Sequence, residues 1–219
     1  MDSIHEHLEF IPAGALFVEG TLSIPVDARG IVLFPYGIER PSRASYTTRL
    51  AELLQQSALA TLLVDLFTSE ERAQDAVTGF FRENVDIMQQ RIIGIGNWLS
   101  EDERTQNLRI CYFGSDITGA AVLIAAVARP DLVVAIACAE GRMELAHNYL
   151  SQVDTPVLLL SAEKDTQGIE ANRQAFEQLQ GPKSLEVVKG AAGIFEDSNT
   201  QEHVAHVVGQ WFKRHLGLG

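Results

Sequence analysis

The chain has 219 residues, 46% of them hydrophobic and 21% charged, with a formal net charge of -12. That length and composition suit one α/β domain with a sizeable core. So acidic a chain argues against nucleic acid or an anionic membrane surface as a partner, because both call for a basic patch.

The N-terminal MDSIHEHLEF has no basic stretch leading into a long apolar run, and no membrane span is legible, so a cytoplasmic location is expected. No repeat, low-complexity tract or Pro/Gly-rich linker divides the chain, and residues 1–219 read as a single domain. Cys111 and Cys138 lie in the apolar runs LRICYF and VVAIACAE, as buried reduced thiols would.

Residues 8–25 alternate around Gly20 and predict antiparallel strands at a sheet edge. GIVLFPYG (30–37) is a continuous apolar run ending in a glycine loop, the pattern of a buried strand. A helix follows over 45–58, with Leu50, Leu53 and Leu54 at helical spacing, and then a strand over 60–67. Residues 83–100 read as a helix, 108–115 as a strand and 118–128 as a small-residue helix. Next come a strand over 132–139, a short helix near 142–150, a strand over 156–165 and a helix over 169–179. A last strand over 184–192 leads to a closing helix over 202–216, whose last turns carry Lys213, Arg214 and His215 as the macrodipole favours. Strands alternating with helices in this way predict a mostly parallel sheet with helices on both faces. In such sheets the chemistry sits at the carboxyl ends of the strands.

One of those ends reads Gly114-Ser115-Asp116-Ile117-Thr118-Gly119, a strand-to-helix turn with a serine, an aspartate and two glycines. Together with IVLFPYG, LATLLVDLFT, ARPDLVVAI, TPVLLLSAEKD and LEVVKGAAGIFED, this turn resembles the α/β-hydrolase fold, and more narrowly its small dienelactone-hydrolase-like branch, which has no large lid domain. The resemblance implies a nucleophile at the turn, an orienting acid after a later strand, a histidine after the last strand, and two backbone N–H groups that hold an oxyanion.

Against that pattern, Asp165 stands where the orienting acid is expected, with a helix N-cap as its alternative role. The histidine position falls on Gly193, within Gly190-Ala191-Ala192-Gly193-Ile194-Phe195, and glycine carries no base. The turn admits three registers, with Asp116, Ile117 or Ser115 at the nucleophile position. The Asp116 register keeps the Phe-Gly strand ending but puts β-branched Thr118 where the second glycine belongs, and crowding of helix on strand is expected there. Gly37, Ile38 and Ile117 are the candidates for the anion-holding N–H groups. Tyr36, Arg43, Arg142 and Phe195 complete the expected substrate-binding set, with Glu39, Arg40 and Glu140 near the mouth. Asp116 and Asp165 are expected close together as an acid/base pair.

The expected function is therefore a repurposed, non-hydrolytic enzyme on a small organic substrate, doing isomerisation, cyclisation or lyase chemistry through Asp116. The alternatives are an inactive pseudo-hydrolase that binds a ligand or partner, and an ester or lactone hydrolase with a non-standard site. No P-loop and no G-x-G-x-x-G is present, so no nucleotide cofactor is expected, and no histidine cluster predicts a metal.

Overall fold

The computed structural model describes residues 5–38, 41–195 and 198–218. Eight strands form one sheet in the order β1-β2-β4-β3-β5-β6-β7-β8. β1 (His5–Ala13) and β2 (Leu16–Ile24) are antiparallel, and β2 also runs antiparallel to β4 (Ala60–Asp65). From β4 onward, β3 (Gly30–Tyr36), β5 (Arg109–Ser115), β6 (Val133–Gly141), β7 (Val157–Ala162) and β8 (Lys183–Val188) pair in parallel.

The central strands are continuous apolar runs because both of their faces are covered. Alternation along each strand sends successive side chains to opposite faces. Ile31 and Leu33 of β3 and Tyr112 of β5 enter one core, packed under α3 (Val85–Glu101), α4 (Asp116–Ala128) and α5 (Thr166–Gln178). Val32, Phe34, Cys111 and Phe113 enter the other, under α1 (Pro41–Gln55) and α6 (Ser198–Leu216). On that second face Trp211 donates its indole N–H to the Ile136 carbonyl at 3.1 Å, which satisfies its polar edge in a buried place. Cys111 and Cys138 are buried and free, and burial pushes both thiols up, away from reactivity.

Two expectations need correction. The stretch after β4 holds a further helix, α2 (Ser69–Thr78), which its polar composition hid. Its start is written in the sequence: Thr68 Oγ1 accepts from the Glu71 N–H and the Glu71 carboxylate accepts from the Thr68 N–H, a reciprocal cap. The segment after β6 is two short 3-10 turns, Met143–Ala146 and Leu150–Gln152, rather than one helix. Among the described residues no helix is long and apolar enough to cross a membrane.

Candidate functional site

The sharp turn between β5 and α4 organises the site. Ser115 ends the strand in extended conformation, and Asp116 follows with φ = 51°, in the left-handed region that residues other than glycine adopt uncommonly, Asn and Asp more often than the rest. Asp116 is thus the apex of the turn, and Ile117 already belongs to the helix. The close packing beneath the apex needs glycine: a Cβ on Gly114 would sit 2.7 Å from the Gly119 Cα, and one on Gly119 would sit 3.0 Å from the Gly141 Cα.

The crowding expected of Thr118 does not arise. Its hydroxyl accepts the Ser115 N–H at 3.0 Å and donates to the Ser115 carbonyl at 2.7 Å, so the branched side chain folds back onto the turn it was expected to disturb. Gly119, one position later, supplies the close approach.

Asp116 lines a cavity of ≈ 110 Å³. Gly37 and Ile38 enter it from the end of β3, Ser115, Ile117 and Thr118 from the turn, and Met88 from α3. Arg82 and Glu83 come from the α2–α3 loop, and Arg142 from beyond β6. Arg142 is tied from both sides: its N–H donates to the Asp116 carbonyl at 2.9 Å, and its guanidinium bonds Glu144 at 2.9 Å and Glu83 at 2.8 Å. Those carboxylates raise its pKa further, so it stays charged. Arg82 is set by the buried Asp75, which accepts the Phe81 N–H at 2.7 Å, the Arg82 N–H at 2.9 Å and the Arg82 Nε–H at 2.6 Å. One buried carboxylate in α2 therefore folds the loop that delivers Arg82 and Glu83 to the cavity. Sequence reading missed Arg82, Glu83 and Met88, because nothing local marks a polar loop that returns over a distant strand end.

The other expected residues distribute as follows. Tyr36 does not line this cavity. It shares the strand face of Phe34, two residues earlier, and borders a separate depression with Thr48, Ala51 and Gln55 of α1. Asp165 does not line it either: its carboxylate caps α5, accepting the Gly168 N–H at 2.9 Å, so the pairing of Asp116 with Asp165 in one site is corrected. Phe195 stacks edge-on against Tyr46, with ring centroids 4.5 Å apart, on the α1 face. The side chain of Arg43, and residues Glu39 and Arg40, lie outside the described residues.

The loop after β8 carries Gly193, and Glu140 fastens it by accepting the Ile194 N–H at 2.7 Å. Glu140 is itself left-handed, with φ = 49°, so two neighbouring strand ends both break on an acidic residue. Beneath the loop, Tyr46 is 1% exposed, and burial and then the Glu140 charge push its phenol far above the usual value. None of the histidines lines the Asp116 cavity among the described residues. His203 faces Glu186 at 3.4 Å on the far edge, His147 lines a depression beside α5, and His215 stacks on Trp211. Among the described residues no cluster of three or more His, Cys, Asp or Glu is arranged to hold a metal ion.

No protein-family profile matches the chain. A solved structure named as a dienelactone hydrolase, from Anabaena variabilis, superposes with a TM-score of 0.92 at 36% identity, covering 96% of this chain and 98% of that one. Est1E from Butyrivibrio proteoclasticus superposes at 0.76 with 14% identity, covering 96% and 99%. An esterase from Pyrococcus furiosus does so at 0.76 with 13% identity, covering 96% and 91%. At such identities these two share the fold alone. A Mycobacterium tuberculosis protein, found in two strains and provisionally named a phosphoribosyl transferase, is 36% identical over 208 residues. Those residues are 94% of this chain and 46% of that protein, so the chain spans about half the length of the curated relatives it matches.

Proposed function

This chain belongs to the dienelactone-hydrolase-like family of the α/β-hydrolase fold, and on that premise we propose that it is a repurposed, non-hydrolytic member. It acts on a small organic substrate by acid/base chemistry, an isomerisation, cyclisation or lyase step, with Asp116 as the proton-transferring group. The observation that carries the reading is the φ of 51° at Asp116, kept at the apex of the turn inside a polar cavity. Strain of this kind costs of order 1–3 kcal/mol and persists where the surrounding structure enforces it, typically at working sites.

Among the described residues no histidine lines the cavity beside Asp116, which speaks against the nucleophile–base couple of a serine hydrolase. The apex is a carboxylate, and residues 189–197 contain no histidine. A carboxylate can still take a proton from a carbon next to a carbonyl, hold it as a carboxylic acid and return it to another atom of the same substrate, so no water or second reactant is consumed. The backbone N–H groups of Ile38 and Ile117 are the natural partners for the carbonyl oxygen as it gains charge. Phosphoribosyl transfer, named for the longer mycobacterial relatives, is not carried over to this chain, which matches 46% of their length.

A binding protein without turnover is the second reading, favoured by Gly193 and by the Glu140 clasp that closes its loop. The two readings separate in deuterium oxide. Small lactones and unsaturated keto acids are incubated with the purified protein and followed by NMR for exchange at carbon or for a new isomer. Exchange that disappears in a folded Asp116→Asn variant is the expected result. Equal exchange in wild type and variant, or none with any compound, removes the catalytic reading.

A further inference from the structure

Arg72 does not line the cavity, yet it is bonded directly to the loop whose Gly37 and Ile38 do. Its Nε–H donates to Asp65 Oδ2 at 2.8 Å, and its Nη2–H donates to the Gly37 carbonyl at 3.2 Å while also pairing with Asp65. Asp65 is fixed in turn, since its Oδ1 accepts the Phe67 N–H at 2.9 Å. Asp65 ends β4, Gly37 follows β3, and Asp116 follows β5, and the strands lie side by side in the order β4-β3-β5.

The carbonyl of Gly37 and the N–H of Ile38 belong to one peptide unit. The chain has no cis peptide among the described residues, so these two groups point in opposite directions. A carbonyl drawn toward Arg72 and Asp65, on the β4 side of β3, therefore turns the Ile38 N–H to the β5 side, where Asp116 and Ile117 stand. Packing does not enforce that orientation. A Cβ on Gly37 would meet only Met88 Cε and Phe67 Cε2, both at an ordinary 3.5 Å, and glycine backbone is permissive.

We propose that Arg72 is a positioning residue: by holding the Gly37 carbonyl it aims the Ile38 N–H into the Asp116 cavity, where with the Ile117 N–H it makes a two-donor niche for a substrate carbonyl. The inference rests on the reading of that cavity as the working site. It narrows the substrate class to compounds that present a carbonyl oxygen beside the carbon to be deprotonated.

The test needs no turnover. ¹⁵N-labelled protein is titrated with γ-butyrolactone, and the amide signals of Ile38 and Ile117 are followed in wild type, Arg72→Met and Arg72→Lys. In wild type both amides shift together and saturate with one dissociation constant. In Arg72→Met the Ile38 response disappears while the Ile117 response survives, and binding weakens about fivefold, the size expected for one hydrogen bond. Arg72→Lys keeps the charge opposite Asp65 but has no fork to serve both partners, so it falls between the two. It is read by the same criterion if Arg72→Met does not fold. An Ile38 response that is unchanged in the variants overturns the positioning role. A wild type in which Ile38 stays silent overturns the niche, while the exchange assay on Asp116→Asn judges the catalytic reading separately.

Discussion

The Glu140 carboxylate accepts the backbone N–H of Ile194 at 2.7 Å, joining the end of β6 to the loop after β8, 54 residues along the chain. Ala139 and Gly141, on either side of Glu140, pair with Ser115 and Asp116. The same strand end therefore buttresses the Asp116 turn and fastens the loop that carries Gly193. Glu140→Ala removes the acceptor and should cost about 1–2 kcal/mol. Glu140→Gln keeps an acceptor oxygen and should cost much less. Urea denaturation with amide exchange at Ile194 reads both, and equal losses would mean that charge, rather than the acceptor, holds the loop.

Asp116 trades stability for position. Glycine at φ = 51° carries no Cβ penalty, so Asp116→Gly should make the protein about 1 kcal/mol more stable while abolishing any proton exchange it catalyses. A variant that is less stable than wild type would show that Asp116 is held by favourable contacts and not by strain.

Asp75 links stability to pH. Burial pushes its carboxyl up, but the N–H donors of Arg82 and Phe81, together with the Arg82 charge, outweigh burial and hold it below the usual range. A carboxyl depressed in the folded state contributes stability that is present above the unfolded pKa of about 4 and lost as pH falls through the folded value. Asp75→Asn should cost about 2 kcal/mol at pH 7, and the difference from wild type should shrink as pH falls below about 4. Denaturation curves from pH 7 to pH 2 check this. A difference independent of pH would mean that shape, not charge, sets the loop.

Hydrolysis gives a separate prediction. Wild type should turn over p-nitrophenyl acetate no faster than buffer, and so should Asp116→Ser and Gly193→His alone. The double variant reunites a nucleophile with a base and should exceed either single variant by roughly 10²-fold, the low end for general-base assistance. Wild-type turnover that vanishes in Asp116→Asn would overturn the non-hydrolytic reading.

The expected site was legible in part. The ends of β3 and β5 beside the cavity were placed to within a residue, because each is a continuous apolar run, whereas β7 and β8 end at Ala162 and Val188, short of the expected 165 and 192. Gly37, Ile38, Asp116, Ile117 and Arg142 do meet at one cavity. Tyr36 was misplaced because strand alternation, not nearness in sequence, decides which face a side chain takes. Asp165 takes the second of the two roles its place before a helix allowed, a cap on α5. Arg82 and Glu83 were missed because the buried Asp75 that turns their loop acts through contacts invisible in a linear pattern.

What the sequence by itself determined is the order of the strands, the glycines under the turn and the absence of histidine from residues 189–197. Those follow from hydrophobic periodicity, from the absence of a Cβ and from residue identity, all of which are local. Only the tertiary structure decided that Asp116 is the strained apex, that Thr118 folds back onto Ser115, and that Glu140 reaches the loop around Gly193. Each of those depends on which backbone groups the parallel sheet sets side by side, and that pairing joins residues far apart in the chain.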